Sequence, residues 1–260
     1  MKICLSTSST YQMAHKFLQP GETLEVLSCG DLSIIQKKSG YRFSVDAYLL
    51  AAFVEEKPGI RVLDIGSGSG VISILLAAIK GLCVTGVEVQ EEMAEMSQRS
   101  VHLAGLDDRV RIVCRDIKGY DDQRFDAIVT NPPYRPVATG RINPEKNKAL
   151  SRHEILLDLD TLMKRSWELL GPSGRFYIVY PAWRLPDLIV SMRSFNIEPK
   201  RMIVVYSDMN SGPEICLVSG IKDGGRELRI ERPFVIYSQQ GVYSREMHDV
   251  FTKLSLPKSH

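Results

Sequence analysis

The chain has 260 residues, of which 44% are hydrophobic and 25% charged, and its 33 basic and 31 acidic side chains leave a formal net charge of +2. This composition excludes a disordered, collagen-like or low-complexity chain, and the length suits one domain with a small addition. A near-neutral balance also excludes a uniformly basic surface, so affinity for nucleic acid would need a local patch.

Residues 1–22 are mostly polar, carry Pro20-Gly21 near their end and read as a loose leader. TLEVLS and LSIIQ, on either side of Cys29-Gly30-Asp31, alternate apolar and polar residues around a glycine turn and predict an antiparallel hairpin. Ser44 is a suitable N-cap for VDAYLLAAFVEE, where Val45, Leu49, Ala52 and Phe53 recur at helical spacing before Lys57-Pro58-Gly59. Hairpin and helix together form an expected N-terminal addition over 23–57.

From residue 60 strand-like and helix-like runs alternate: IRVLDI, VISILLAAIK, CVTGVEV, EEMAEMSQRSVHLAG, VRIVCRD, FDAIVT, then ILLDLDTLMKRSWELL and GRFYIVY. Such alternation predicts an α/β fold, a mostly parallel sheet covered by helices on both faces. RMIVVYS and EICLVSGIK flank DMNSGP and predict a second, antiparallel hairpin, with LRIERPFVIY as one further strand. The main domain then spans 58–240, with a tail over 241–260. No apolar run is long enough for a signal peptide or a membrane span. Five scattered cysteines, without C-x-x-C spacing, suit a reducing compartment, and the expectation is a cytoplasmic protein.

Three sets of residues carry chemistry. In Asp64-Ile65-Gly66-Ser67-Gly68-Ser69-Gly70 an apolar strand runs into a glycine turn that opens a helix. Glycines there let backbone approach a ligand, and the helix start offers free N–H groups. The pattern is G-x-G-x-G, and Val71 stands where a dinucleotide fingerprint would need its last glycine. Glu88 follows 24 residues after Asp64, at the end of the next strand, where a carboxylate can accept from both hydroxyls of a ribose. Asp116 ends the strand after that and can accept from an adenine amino group. The third set is Asn131-Pro132-Pro133-Tyr134, directly after FDAIVT. Its paired prolines stiffen the backbone, so that the Asn131 side chain and the Pro132 carbonyl can both accept from one planar amine. Accepting both N–H bonds favours the tetrahedral, positively charged nitrogen needed for attack on an electrophilic methyl. Tyr134 offers a flat face for a base.

With DIGSGSG followed about sixty-five residues later by NPPY, roughly residues 40 to 220 resemble the S-adenosylmethionine-dependent methyltransferases of exocyclic and amide nitrogens. GYRFSVDAYLLAAF together with NPPYRPVATGRINPEKNKALSRHE narrows the likeness to the bacterial tRNA(Val) adenine-N6-methyltransferase family, which modifies the adenosine beside the anticodon. The resemblance implies a seven-stranded, Rossmann-like class I methyltransferase sheet with its last pair antiparallel. It implies that Asp64, Gly66, Ser67, Gly68, Gly70, Glu88, Asp116 and Asn131 hold S-adenosylmethionine, or the product S-adenosylhomocysteine. Asp46 would meet the cofactor's amino-acid end, and Asn131, Pro132, Pro133 and Tyr134 would form the catalytic bend that holds the adenine. NPPY alone is equally similar to release-factor glutamine and ribosomal guanine methyltransferases.

Between 131 and 153, Arg135, Arg141, Lys146, Lys148 and Arg152 outnumber the single acid Glu145, a local excess of four positive charges that suits an RNA backbone and favours a tRNA partner. His15, His102, His153 and His248 lack ligand spacing, so no metal is expected. Trp167 is expected in the core, beside Met163 and Leu170. Trp183, Lys200, Arg201, Lys222, Arg226 and Arg229 receive no role. Two other classes stay open: an RNA-binding assembly factor with a vestigial pocket, and a dinucleotide-dependent oxidoreductase, for which Val71 is unfavourable.

Overall fold

The structure is a computed structural model that describes residues 16–30, 32–39, 43–133 and 158–257. An antiparallel hairpin, β1 (Glu22–Val26) and β2 (Ser33–Lys37), pairs Leu24 with Ile35 and precedes helix α1 (Val45–Phe53). The alternating segment follows as β3 (Arg61–Ile65), α2 (Val71–Lys80), β4 (Cys83–Glu88), α3 (Glu91–Leu103), β5 (Val110–Cys114) and β6 (Phe125–Thr130). Beyond lie α4 (Leu159–Leu169), β7 (Leu170–Pro181), α5 (Leu185–Ser194), β8 (Ile197–Tyr206) and β9 (Pro213–Lys222).

Strands β5-β4-β3-β6-β7 run parallel and β9 lies antiparallel between β7 and β8, so the seven main strands end in the expected antiparallel hairpin, and two short strands on β8 bring the sheet to nine. LRIERPFVIY is not one strand. It forms two short ones, β10 (Arg229–Ile230) and β11 (Phe234–Val235), each parallel to β8, because Pro233 cannot donate to a ladder and the chain steps out between them. A small hairpin, β12 (Tyr237–Gln239) with β13 (Val242–Tyr243), and helix α6 (Arg245–Lys253) follow. Met247 and Val250 of α6 are fully buried, so the region expected as a tail packs against the domain.

The pleat sorts the core into two layers. Val62, Val84, Ala127, Val129, Tyr177 and Val179 face α1, α2 and α6, whereas Leu63, Val87, Ile128, Phe176 and Ile178 face α4 and α5. Helix α1 ends at Phe53 instead of running on to Glu56, and Lys80 from α2 donates to the Ala52 and Val54 carbonyls at that end. Burial lowers the Lys80 ammonium to about 8. Part of the expected leader is anchored: Arg99 on α3 donates to both carboxylate oxygens of Glu22, at 2.6 and 2.7 Å, and to the Phe17 carbonyl. The hydrogen bond from Arg99 holds the Glu22 carboxyl below its ordinary range.

Trp167 is not in the core. It is 36% exposed, its indole N–H donates to Asp223, and the Lys222 ammonium lies 4.1 Å from its ring centroid while donating to the Trp167 and Leu170 carbonyls. Lys222 thus closes the carboxyl end of α4. Arg201 is likewise structural, gripping the buried Glu231 carboxylate above the Phe53 ring, and Lys200 donates to the Gly225 carbonyl.

Candidate active site

Strand β3 is the hinge of the topology. The chain moves outward from it through β4 and β5, then returns to its other side with β6, so the sheet order reverses between β3 and β6. At such a switch point the connections leave in opposite directions and open a crevice at the carboxyl ends of the strands. The register decides which residues border it. Ile65 pairs with Thr130, so Gly66 and Asn131 leave neighbouring strands at the same level. Thr130 is fully buried and its hydroxyl donates to the Ile65 carbonyl at 3.0 Å, clamping the two strands where they part.

The glycine elbow is built around unusual backbone. Gly66, Gly68 and Gly70 have φ of +72°, +54° and +79°, values that cost other L-residues roughly 1–2 kcal/mol each. Two further constraints hold the loop against its neighbours. A Cβ on Gly70 would lie 2.2 Å from Ser97 Oγ of α3, and one on Gly86 of β4 would lie 2.9 Å from Ser67 Cβ. On Gly66, by contrast, an added Cβ would meet nothing within 4 Å, so the crevice side of the elbow is open.

Glu88 ends β4 and is only 5% exposed. Its Oε2 accepts from the Gly68 N–H and its Oε1 from the Gln90 N–H, both at 2.9 Å. One carboxylate therefore ties the elbow to the start of α3. Each oxygen keeps a second lone pair, which leaves room for a diol. Asp64 lies beneath the elbow, completely buried, with Oδ2 accepting from the Ser73 hydroxyl at 2.7 Å and Oδ1 without a partner. Burial, reinforced by the nearby Glu88 charge, pushes its carboxyl up to about 7, against the opposing Ser73 hydrogen bond.

Asp116 falls two residues beyond β5, because the strand ends at Cys114. Its Oδ1 accepts from the Lys118 N–H and caps a short 3-10 turn, Ile117–Gly119, at the same sheet edge. Asp46 sits in the first turn of α1 behind the Ser44 cap, and desolvation raises its carboxyl above the ordinary range. Asn131 and Pro132 are half-buried and Pro133 is exposed. Tyr134 and the basic residues Arg135, Arg141, Lys146, Lys148 and Arg152 lie outside the described residues.

The structure thus gathers Gly66, Gly68, Glu88, Asp116 and Asn131 along one sheet edge, with Asp64 and Ser67 underneath. Sequence reading did not find Ser73, Ser97, Thr130 or Gly86, whose contacts hold the elbow. Each contact joins residues far apart in the chain or on adjoining elements, and a serine in a helix carries no signal of its own. Open space beside Gly66, an orphaned Asp64 oxygen and a buried diol-capable carboxylate together fit a nucleoside that also carries donor groups. Among the described residues no group of His, Cys, Asp and Glu is placed to hold a metal ion, and no helix is long and apolar enough to cross a membrane.

Strand order, switch-point crevice and glycine elbow define the class I methyltransferase architecture, and solved structures agree. A Pyrococcus furiosus methyltransferase superposes with a TM-score of 0.56 at 20% identity, covering 74% of this chain and 89% of that one. An Agrobacterium tumefaciens protein described as a predicted O-methyltransferase gives 0.66 at 18% identity, covering 81% and 97%. The family model for the methyltransferase small domain matches residues 39–182. A tRNA1(Val) (adenine(37)-N6)-methyltransferase of Porphyromonas gingivalis is 31% identical over 204 residues, 74% of this chain and 79% of that protein. One of the same name from Pedobacter heparinus is 27% identical, over 81% of this chain and 89% of its own length. The chain belongs to the methyltransferase small domain family and, within it, to that of the tRNA1(Val) (adenine(37)-N6)-methyltransferases.

Proposed function

We propose that this protein transfers a methyl group from S-adenosylmethionine to N6 of an adenosine in the anticodon loop of a tRNA. The carrying observation is the pairing of Ile65 with Thr130, which sets the glycine elbow and Asn131 side by side at the switch point. The Porphyromonas and Pedobacter relatives, and the excess of positive charge between 131 and 153, support RNA over a protein amide.

The cofactor supplies an electrophilic methyl carried on a sulfonium. Gly66, Ser67, Gly68 and Gly70 shape the elbow that accepts it, with Asp64 beneath, Glu88 on the ribose diol, Asp116 toward the adenine amine and Asp46 toward the amino-acid end. Asn131 and the Pro132 carbonyl accept the two N–H bonds of the target amine. As its nitrogen becomes tetrahedral and gains positive charge, those acceptors bind it more strongly, which lowers the barrier. Tyr134 stacks on the unstacked base, and Pro133 fixes the bend. Arg135, Arg141, Lys146, Lys148 and Arg152 follow the phosphates. No general base is required, because the methylated ammonium is acidic enough to release its proton to water.

Glu88→Gln is expected to weaken S-adenosylhomocysteine binding by about ten- to a hundredfold, the worth of one charge-assisted hydrogen bond, with little change in turnover at saturating cofactor. The amide would set an N–H against the Gly68 or Gln90 N–H now accepted at 2.9 Å. Isothermal titration calorimetry measures this, and unchanged affinity contradicts the ribose role. The function itself is tested by incubating labelled S-adenosylmethionine with bulk tRNA and, separately, with release factors. Label recovered as N6-methyladenosine from RNA is the expected result. Label entering protein alone overturns it.

A further inference from the structure

Beyond the crevice, the same sheet edge carries an exposed aromatic. Strand β7 runs parallel to β6, with Ile178 level with Thr130, so its carboxyl end opens beside Asn131. There the chain passes through Pro181 into a 3-10 turn, Ala182–Arg184, and straight into α5, whose second residue is Pro186. Two prolines and a tight turn leave this corner little freedom. It presents Trp183, 67% exposed.

Trp183 is held in an organised setting. The Arg184 guanidinium lies 5.8 Å from its ring centroid and 5.3 Å from the ring of Tyr180, and Arg184 Nε donates to Asp187 Oδ2 at 3.3 Å. One cation therefore bridges a buried tyrosine and an exposed indole, orienting the indole while leaving most of its surface to solvent. Adjacent strands lie about 5 Å apart and rise about 3.3 Å per residue, so Trp183 stands on the order of 10–15 Å from Asn131. One or two neighbouring nucleotides of an unstacked strand cover that distance. The loop between β8 and β9, with its 78% exposed Met209, opens at this edge too, since Pro181 pairs with Ile215 and Tyr206 with Pro213.

We propose that Trp183, oriented by Arg184, is a stacking platform for a nucleotide flanking the target adenosine, positioning the RNA strand over the Asn131 bend. The inference rests on the RNA-methylating reading above and adds to it a residue that selects unstacked RNA. A π face suits any base, so the platform contributes affinity and strand direction more than sequence.

The test uses two independent readouts on the full chain. In methyl transfer to tRNA, Trp183→Ala is expected to raise KM for tRNA about tenfold with kcat and S-adenosylhomocysteine affinity unchanged, and Trp183→Phe to restore most of the loss. The chain has only two tryptophans, so in a Trp167→Phe background Trp183 is the sole reporter. An anticodon stem-loop RNA should quench its fluorescence, whereas a blunt RNA duplex of equal charge should not. Transfer by the wild type with an unchanged KM in Trp183→Ala, or no quenching by the stem-loop, overturns the platform and leaves the methyltransferase reading intact. Equal defects in the alanine and phenylalanine variants also overturn it, since they indicate packing of the corner. A wild type that quenches but transfers nothing to RNA keeps the platform and removes the proposed reaction.

Discussion

Asn131→Ala is expected to lower turnover on tRNA by about 10²–10³ at saturating cofactor. The size follows from the kind of interaction removed. A side-chain acceptor that binds a neutral, planar amine only moderately meets, at the transition state, an N–H polarised by growing positive charge. Losing it therefore costs more at the top of the barrier than in the bound substrate, and the deficit falls on kcat. The fold should tolerate the change. Asn131 is half-buried and lies beyond the last ladder residue of β6, and the strands are closed just before it by the Thr130 hydroxyl on the Ile65 carbonyl. Thr130→Val offers the useful contrast. It removes that clamp without touching an acceptor, and so reports on alignment of the edge. Single-turnover transfer with saturating cofactor separates the two. An Asn131→Ala enzyme with unaltered turnover contradicts the acceptor role.

The expectation for Asn131 could be framed from sequence because its physical signal is local. Asn-Pro-Pro after an apolar strand states both a stiff backbone and its place at a strand's carboxyl end. The elbow was legible for the same reason: three alternate glycines after a strand mark a backbone turn, all three have positive φ, and Gly66 leaves its crevice side open. The parallel α/β order and the antiparallel last pair followed from apolar runs of the right length, whereas the count of seven strands came with the family resemblance. What failed to show were boundaries and supports set by distant partners. Helix α1 stops where Lys80 reaches its carbonyls, α4 closes where Lys222 does, and LRIERPFVIY divides at Pro233 as it docks on β8. Trp167 has helical spacing with core residues, yet its polar nitrogen and the Lys222 ammonium draw it to the surface. Asp116 was expected to end a strand and instead caps a turn two residues past it, because an aspartate serves either position equally well.

The second large effect concerns Asp64, whose burial makes it a liability to the folded apoprotein. Its carboxyl is raised from an ordinary value of 3.8 to about 7, chiefly by desolvation. Folded protein therefore holds this proton more tightly than unfolded chain, and between about pH 4 and pH 7 the unfolded state releases it first. In that window the unfolded state binds fewer protons, so stability falls as pH rises, and the loss is complete once the folded group has also ionised. Roughly three pK units at about 1.4 kcal/mol each set the span at about 4 kcal/mol. Asp64→Asn cannot ionise and should lack this slope, whatever its absolute stability. Urea unfolding of both apoproteins at about pH 4.5 and about pH 8 provides the comparison. Other titrating groups are common to the two and cancel in the difference. Wild type is expected to lose about 3 kcal/mol more than the variant between those two pH values, since part of the full span is already lost at pH 4.5, and parallel profiles contradict the burial argument. The same arithmetic explains why a chain would keep such a carboxylate under a glycine elbow. Ser73 already donates to Oδ2, so the residual cost falls on the buried, unpartnered Oδ1. A ligand that brought a donor to that oxygen would offset part of this cost on binding.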